Sequence, residues 1–166
     1  MKLGFTLFGA ALAVFSVAQF GDGDSEYTLI TSTDDSRFDG MYLAPGELKY
    51  EDPEGDDSTH ILASSEKSGG YVFSIGGLLK SHKTEDTLYA SIGDKGFLVF
   101  DDDFLGSDSG FKCSPDKTLT YEGQQNWFIC TGNGSTIYEK PAIAFSENAE
   151  LQKECHRVQI ECNESS

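Results

Sequence analysis

Short apolar runs, some alternating with polar residues and some continuous, recur along the chain between glycine and aspartate residues. Alternation is the pattern of a half-buried strand, whereas a short continuous apolar run is typical of a strand buried on both faces. Turn residues at 76–77 and 93–96 join neighbouring runs into strand–turn–strand units. The pattern predicts strands at 27–32, 40–43, 48–50, 71–75, 78–80, 88–92 and 97–100.

The strongest hairpin signal surrounds the single tryptophan of the chain. Residues 119–121 alternate in polarity, and the run 127–130 is apolar without interruption, which predicts a strand buried on both faces. Asn133–Gly134 can take the positive φ angles of a two-residue turn, and the β-branched and aromatic run 135–138 predicts a return strand. Cys130 lies inside the buried strand and is well placed to anchor a cross-link.

Strands this short, joined by glycine and aspartate turns, are typical of a β-sandwich or a barrel. Only residues 147–158 have a pattern that a helix could adopt, and its cysteine and β-branched end weaken that interpretation. The sequence therefore predicts one all-β domain, a β-trefoil-like barrel stapled by disulfides in its C-terminal third. A β-sandwich is the alternative.

The start of the chain has the order of a secretory signal peptide. Lys2 supplies a positive charge, residues 4–17 are apolar apart from Thr6 and Ser16, and small residues at 16 and 18 precede a cleavage site. The apolar run is shorter than the roughly 20 residues of a membrane-spanning helix. We therefore expect the segment to be removed and the mature protein to be secreted, with no membrane association.

The chain thus divides into a signal peptide at 1–18, a flexible acidic arm at 19–26 and a β domain at 27–162. Its formal net charge is −16, and removal of Lys2 with the signal peptide makes it −17. A field of this sign repels phosphate, so the composition excludes non-specific binding to nucleic acid or to an anionic membrane surface.

Acidic turns are the most prominent candidate chemistry. Asp101–Asp103 follow a predicted buried strand, with Asp108 beyond them, and carboxylates of this kind can bind calcium. The run lacks the alternating spacing of an EF-hand loop, so an acidic turn is the favoured interpretation, as it is for 51–57. An acidic chain also offers carboxylate pairs for glycoside hydrolysis, but no pair stands out. If the chain were catalytic, Asp101–Asp103 would be the candidate groups, because like charges can raise one pKa.

The remaining motifs of catalysis are not found in the sequence. His60, His82 and His156 lie far apart among polar residues, and we expect them to be solvated. The chain contains no nucleophile elbow, no zinc-protease motif and no phosphate-binding loop. The sequence therefore predicts no catalytic residue, no metal and no cofactor.

All four cysteines, Cys113, Cys130, Cys155 and Cys162, lie in the C-terminal third. An even number behind a signal peptide predicts disulfides. A zinc site is the alternative, but no Cys-x-x-Cys pair is present, and intervals of 16, 24 and 6 residues between successive cysteines fit no zinc pattern. The residues by themselves leave the three possible pairings open.

Two tripeptides match the acceptor pattern for N-glycosylation. Asn133 lies at the predicted hairpin tip, where a bulky sugar is sterically tolerated, and Asn163 lies near the end of the chain. We expect Asn133 to carry a glycan and treat Asn163 as a second acceptor.

Four stretches resemble the fungal cell-wall protein family that includes phiA and the C-terminal domain of the PIR mannoproteins. They are YTLITSTDDS, YVFSIGGLLKS, LTYEGQQNWFICTGNGSTIY and ELQKECHRVQI. The resemblance covers about residues 27–160. In the family an aromatic residue precedes a buried cysteine, and a second cysteine lies ahead of a final apolar strand; here these are Phe128, Cys130 and Cys155.

The resemblance implies a secreted all-β domain held in the cell wall, with disulfides Cys130–Cys155 and Cys113–Cys162 and no catalytic residues. The chain departs from PIR proteins in having no repeat array and no Lys-Arg processing site, so we expect non-covalent or disulfide-held attachment. The expected partners are wall polysaccharide, glucan or mannan, or other wall proteins.

The expected function is therefore that of a secreted, non-catalytic structural constituent of a fungal cell wall. A secreted carbohydrate-binding or effector-like module is the alternative. A small hydrolase built on two carboxylates is a third hypothesis.

Overall fold

The computed structural model describes residues 25–46, 59–65, 71–81, 87–93, 96–131, 140–147 and 155–165. These ranges hold twelve strands and one 3₁₀ turn, Phe104–Gly106. The strands are β1 (Ser25–Ser32), β2 (Tyr42–Gly46), β3 (Thr59–Ser64), β4 (Phe73–Ile75), β5 (Leu79–Ser81), β6 (Leu88–Ile92), β7 (Leu98–Asp101), β8 (Phe111–Cys113), β9 (Leu119–Tyr121), β10 (Trp127–Cys130), β11 (Ala142–Phe145) and β12 (Cys155–Glu164). Within these ranges no helix is long and apolar enough to cross a membrane.

Six antiparallel strands close into a barrel. Their order is β1–β2–β3–β11–β10–β12, and the ring is complete because β12 pairs with β1. The strands β7, β6, β5 and β4 continue from β3 and return to β1. A closed ring leaves no unpaired edge along which another strand could add. The prediction of an all-β barrel is confirmed, and the chain does not fold as the alternative β-sandwich.

The same four-strand unit occurs three times, as β1–β4, β5–β8 and β9–β12. In each unit the two middle strands form a hairpin: β2–β3, β6–β7 and β10–β11. The three hairpins meet one another, since β3 pairs with β7 and with β11, and Phe97 bridges to Ala144. This threefold meeting of hairpins is the arrangement of a β-trefoil.

Bulky aromatic side chains from all three units fill the barrel. Phe73, Phe100, Phe111 and Trp127 are fully buried. Phe73 meets Phe100 edge-on with ring centroids 6.0 Å apart, and Trp127 meets Phe145 in the same way at 5.1 Å. Each such ring removes roughly 150–250 Å² from water, so these residues dominate the hydrophobic stabilisation.

Strand β10 is buried on both faces, as its unbroken apolar run predicts. Trp127 and Ile129 point into the main core. Phe128 and Cys130 belong to a second apolar cluster, which they form with Ala144 on the neighbouring strand β11. Successive side chains of a strand point to opposite faces, so a strand packed between two apolar clusters needs an apolar residue at every position.

The two disulfides are Cys113–Cys162 and Cys130–Cys155, the pairs that the family resemblance implied. Cys130 and Cys155 stand directly opposite each other in the β10–β12 ladder, with Cα atoms 4.1 Å apart. Cys113 connects the β8–β9 hairpin to β12. Both bonds therefore end on β12, the strand that also closes the ring against β1.

Several boundaries differ from the sequence prediction. Strand β1 begins at Ser25, so the last two residues of the predicted acidic arm pair with β4 instead. Strand β2 extends beyond the predicted end at residue 43 and includes Pro45 and Gly46, which pair with β3. The predicted strands 48–50 and 135–138 and the Asn133–Gly134 turn lie outside the described residues.

The helix considered for residues 147–158 is wrong where the structure describes it. Cys155 to Val158 belong to β12, a ten-residue strand that pairs with both β10 and β1. Tertiary pairing of this kind overrides weak local helical preference.

Candidate functional site

An open polar cleft lies where the β1–β2 loop, the β9–β10 loop and the start of β12 meet. Its cavity volume is about 650 Å³. The lining residues combine carboxylates, amides, hydroxyls and one guanidinium: Ser32, Thr33, Asp34, Asp39, Gln125, Arg157, Val158 and Gln159. We call this surface the polar cleft.

Thr33 holds the β1–β2 loop against β12. Its backbone N–H donates to Asp39 Oδ1 at 3.1 Å, and its hydroxyl donates to the carbonyl oxygen of Arg157 at 3.3 Å. The same hydroxyl accepts from the backbone N–H of Asp35 at 3.4 Å. The bond to Arg157 joins segments 124 residues apart in the sequence, and the other two order the loop itself.

The guanidinium of Arg157 is oriented by a chain of side-chain amides. Arg157 Nη2 donates to Asn126 Oδ1 at 3.1 Å, and Asn126 Nδ2 donates to Gln124 Oε1 at 2.8 Å. Asn126 is itself held by its backbone carbonyl, which accepts from the N–H of Ser146 at 3.1 Å. The remaining donors of the exposed guanidinium are therefore presented at one wall of the polar cleft.

Beside the polar cleft, the β1–β2 loop and β12 carry a small ionic and aromatic cluster. The guanidinium of Arg37 donates two hydrogen bonds to the Asp35 carboxylate, from Nε to Oδ1 at 3.0 Å and from Nη2 to Oδ2 at 2.6 Å. The Arg37 guanidinium also lies 4.9 Å from the ring centroid of Phe38. The Phe38 ring in turn packs against the His156 ring, with centroids 5.0 Å apart. His156 Nδ1 stands 3.8 Å from Asp35 Oδ2. His156 is therefore partly exposed to solvent and partly packed on Phe38.

Phe38 anchors this loop because its side chain is buried and its backbone is hydrogen-bonded to β1. The buried hydroxyl of Thr31 donates to the carbonyl oxygen of Phe38 and accepts from the backbone N–H of Met41 at 3.0 Å. The N–H of Gly40 donates to the Thr31 carbonyl at 2.8 Å, and Gly40 has a φ of 71°, which glycine adopts without strain. These hydrogen bonds therefore anchor the β1–β2 loop to strand β1 of the barrel.

The hydrogen bonds from Arg37, aided by its charge, lower the pKa of Asp35 to about 2. In Arg37→Ala we expect that pKa to return towards its ordinary value of 3.8. A lowered pKa means that the pair stabilises the fold above the unfolded-state pKa and loses this contribution as the pH falls towards 2. A carboxyl-detected NMR titration measures the change.

Asp116 is the internal control for that titration. Its pKa is lowered by hydrogen bonds from Ser114 and Thr118 on the β8–β9 turn, so it does not depend on Arg37. An Asp35 midpoint that stays near 2 in the variant would contradict the assignment of Arg37 as the cause.

The acidic residues singled out in the sequence form a capped turn. Asp101 Oδ1 accepts from the N–H of Asp103 at 2.9 Å, and Asp103 Oδ1 accepts from the N–H of Leu105 at 2.8 Å. Asp108 Oδ2 accepts from the N–H of Ile92 at 2.6 Å, which ties this loop to β6. Across the described ranges no group of three histidine, cysteine or acidic residues is placed to hold a metal ion. The acidic-turn interpretation therefore accounts for these carboxylates.

The remaining candidates are placed only in part. Asn163 is exposed on β12, opposite Thr28 of β1. Asn133, the acidic run 51–57 and His82 lie outside the described residues, as does the side chain of His60.

The sequence analysis missed the polar cleft. Its residues come from the end of β1, the loop before β10 and the start of β12, which no local motif connects. The sequence feature that could have indicated the cleft is the polar stretch after the first strand, where charged residues are closely spaced: Asp34, Arg37 and Asp39.

Fold and cleft together define a disulfide-bonded β-trefoil-like domain with an open polar surface site. No protein-family model, no curated protein and no solved structure matches this chain. The resemblance to the fungal cell-wall family therefore stays a prediction that rests on the four stretches named above.

Proposed function

We propose that this protein is a secreted, non-catalytic constituent of a fungal cell wall that binds an uncharged wall polysaccharide, glucan or mannan, in the polar cleft. The observation that carries the proposal is the mixed donor and acceptor lining of the polar cleft. Secretion is supported by the order of the N-terminal segment and by two disulfides, which persist in oxidising compartments. The fungal wall is supported by the sequence resemblance.

The lining suits a ligand rich in hydroxyl groups. A sugar hydroxyl both donates and accepts, so it needs carboxylate or carbonyl oxygens beside amide or guanidinium donors. The polar cleft offers Asp34 and Asp39 as acceptors, Arg157 as donor, and Gln125 and Gln159 as both. The charge of −16 disfavours acidic polymers, and glucan and mannan carry no charge.

Asp35, which neighbours the cleft residue Asp34 in the chain, does not have the pKa of a catalytic acid. A glycoside hydrolase needs one carboxylic acid with a raised pKa to protonate the leaving oxygen. Arg37 instead lowers the pKa of Asp35 to about 2, so this carboxyl stays ionised at neutral and mildly acidic pH.

The test is co-sedimentation of the purified protein with insoluble β-glucan, mannan and chitin. We expect binding to glucan or mannan, and a roughly tenfold weaker affinity for Arg157→Ala, because hydrogen bonds from a charged donor are the strong ones. Lys112→Ala is the matched control, since it removes one exposed cation on β8 that does not line the polar cleft. Asn126→Ala, which frees the guanidinium, should weaken binding less than Arg157→Ala.

Three results would overturn the proposal. One is release of soluble sugar during the incubation, which would make the protein a hydrolase. Another is equal loss of binding in Lys112→Ala and Arg157→Ala, which would show that binding depends on the overall charge of the protein and not on the polar cleft. The third is recovery of the native protein wholly in culture medium and none in the wall fraction, which would favour the effector-like alternative.

A further inference from the structure

The loop between β7 and β8 exposes two large hydrophobic side chains next to each other. Phe104 is 55% exposed and Leu105 is 90% exposed, and they are the only exposed large hydrophobic residues in the part of the chain that the structure describes. Single exposed apolar residues are ordinary, whereas here two lie side by side on one turn and form a continuous exposed apolar surface. We call these two residues the apolar tip.

The apolar tip is held in shape by its own hydrogen bonds. Asp103 caps the 3₁₀ turn by accepting from the N–H of Leu105. The Ser107 hydroxyl donates to the carbonyl oxygen of Phe104 at 2.7 Å, and the Ser107 N–H donates to the same oxygen at 3.3 Å. A surface that is already ordered loses less conformational entropy when it binds, so this turn is suited to docking.

The turn is also fixed to the barrel. The Phe104 ring meets the Tyr89 ring of β6 edge-on with centroids 5.3 Å apart. Asp108 holds the other side of the loop, since its N–H donates to the carbonyl oxygen of Ala90 at 2.9 Å and its carboxylate accepts from Ile92. Leu105 between them is 90% exposed.

Carboxylates surround the apolar tip. Asp102 and Asp103 immediately precede it and are exposed, and the half-buried Asp101 stands behind them. A partner that covers Phe104 and Leu105 must also meet these negative charges. Lysine or arginine at the border of its pocket provides that complement, which speeds encounter and fixes orientation.

Two other occupants fit less well. A sugar stacks on a flat aromatic face, whereas Leu105 has no ring and Phe104 is already engaged with Tyr89. Insertion into a membrane would bring the neighbouring aspartates to the lipid headgroups, and cytoplasmic-type anionic surfaces would repel them.

We propose that the apolar tip docks into an apolar pocket bordered by lysine or arginine on a separate protein. This site is distinct from the polar cleft, shares no lining residue with it and stands if the polysaccharide proposal fails. A protein that binds through both surfaces would join a polysaccharide to a cationic protein.

The experiment uses three labelled peptides and fluorescence anisotropy. One alternates lysine and leucine, a second has serine for every leucine, and a third has glutamate for every lysine. We expect the lysine–leucine peptide alone to bind, with affinity that falls as salt rises from about 50 mM to about 500 mM. Leu105→Ser should weaken binding roughly tenfold, as loss of an apolar anchor does.

Asp102→Asn tests the charge contribution, and Glu164→Gln is its matched control because it removes one exposed carboxylate on β12. We expect Asp102→Asn to weaken binding and reduce its salt dependence, with Glu164→Gln unchanged. Since Leu105 is 90% exposed, an unchanged melting temperature confirms that Leu105→Ser is folded.

Equal affinity of wild type and Leu105→Ser, or equal binding of the lysine–serine peptide, would overturn the proposal. A concentration-dependent dimer in sedimentation velocity that Leu105→Ser abolishes would assign the apolar tip to a second copy of the chain instead. Leu105-dependent co-sedimentation with phosphatidylcholine vesicles would assign it to a membrane.

Discussion

We expect the double variant Cys113→Ser/Cys162→Ser to lose about 4 kcal/mol of the free energy of unfolding. The bond spans 49 residues, and in the chain-entropy model a longer closed loop constrains the unfolded chain more. The free energy of unfolding of a typical domain is of order 5–15 kcal/mol, so this loss would remove a large part of it.

The folded structure gives a second reason for a large effect. Cys113 lies in β8, and the β8–β9 hairpin meets β12 mainly through the Cys162 N–H, which donates to the Lys117 carbonyl at 2.7 Å, and the bridge between Thr118 and Glu161. Cys162 is 1% exposed, so a serine there would also bury a hydroxyl.

The matched comparison is Cys130→Ser/Cys155→Ser, which opens a 25-residue loop and is expected to cost about 3.5 kcal/mol. These two cysteines stay neighbours through the β10–β12 ladder when the bond is absent. Denaturation in guanidinium chloride without reductant measures both variants. A loss below about 1 kcal/mol for Cys113→Ser/Cys162→Ser would contradict the structural role of that bond.

Truncation of Trp127 to alanine should be about as damaging, with an expected loss of roughly 4–5 kcal/mol. The side chain is fully buried, and its removal leaves a cavity beside the ring of Phe145 on β11 that it contacts. It also removes the indole N–H, which donates to the carbonyl oxygen of Leu119 at 2.8 Å. That oxygen would remain buried without its partner, which adds a desolvation penalty.

Trp127→Phe separates these two contributions. It keeps most of the ring volume and removes the donor, so we expect a smaller loss of about 2–3 kcal/mol. Phe104→Ala is the control, because that ring is 55% exposed and its removal should change stability by less than about 1 kcal/mol. Circular dichroism follows unfolding, since the single tryptophan is lost. Equal stability of Trp127→Phe and wild type would contradict the role of the hydrogen bond.

Local pattern was sufficient for the strands with the clearest apolar runs. Strands β6 and β10 begin and end where the sequence predicts, because a Gly-Asp pair follows β6 directly and β10 is an unbroken apolar run. Strand β11 was missed: its sequence AIAF is half alanine, which has low strand preference, and its partners β10 and β3 supply the pairing that holds it extended.

The candidate site was less accessible to sequence reasoning than the fold. The acidic turn at Asp101–Asp103 drew attention because its residues are adjacent in the chain, and the structure shows them capping their own backbone. The residues of the polar cleft are ordinary polar side chains whose importance arises only from proximity. Thr33 and Arg157 meet across 124 residues, a contact that neither residue's neighbours in sequence predict.

The sequence by itself determined that this chain forms an all-β domain with disulfides in its C-terminal third, since apolar period and cysteine number are local properties. The choice of a barrel over a sandwich depended on how distant strands pair. The tertiary structure decided how the three hairpins meet, which residues surround the polar cleft and how exposed Leu105 is. The physical reason is that strand pairing and burial join segments far apart in the chain, and their free energy depends on the partner segment as much as on the segment itself.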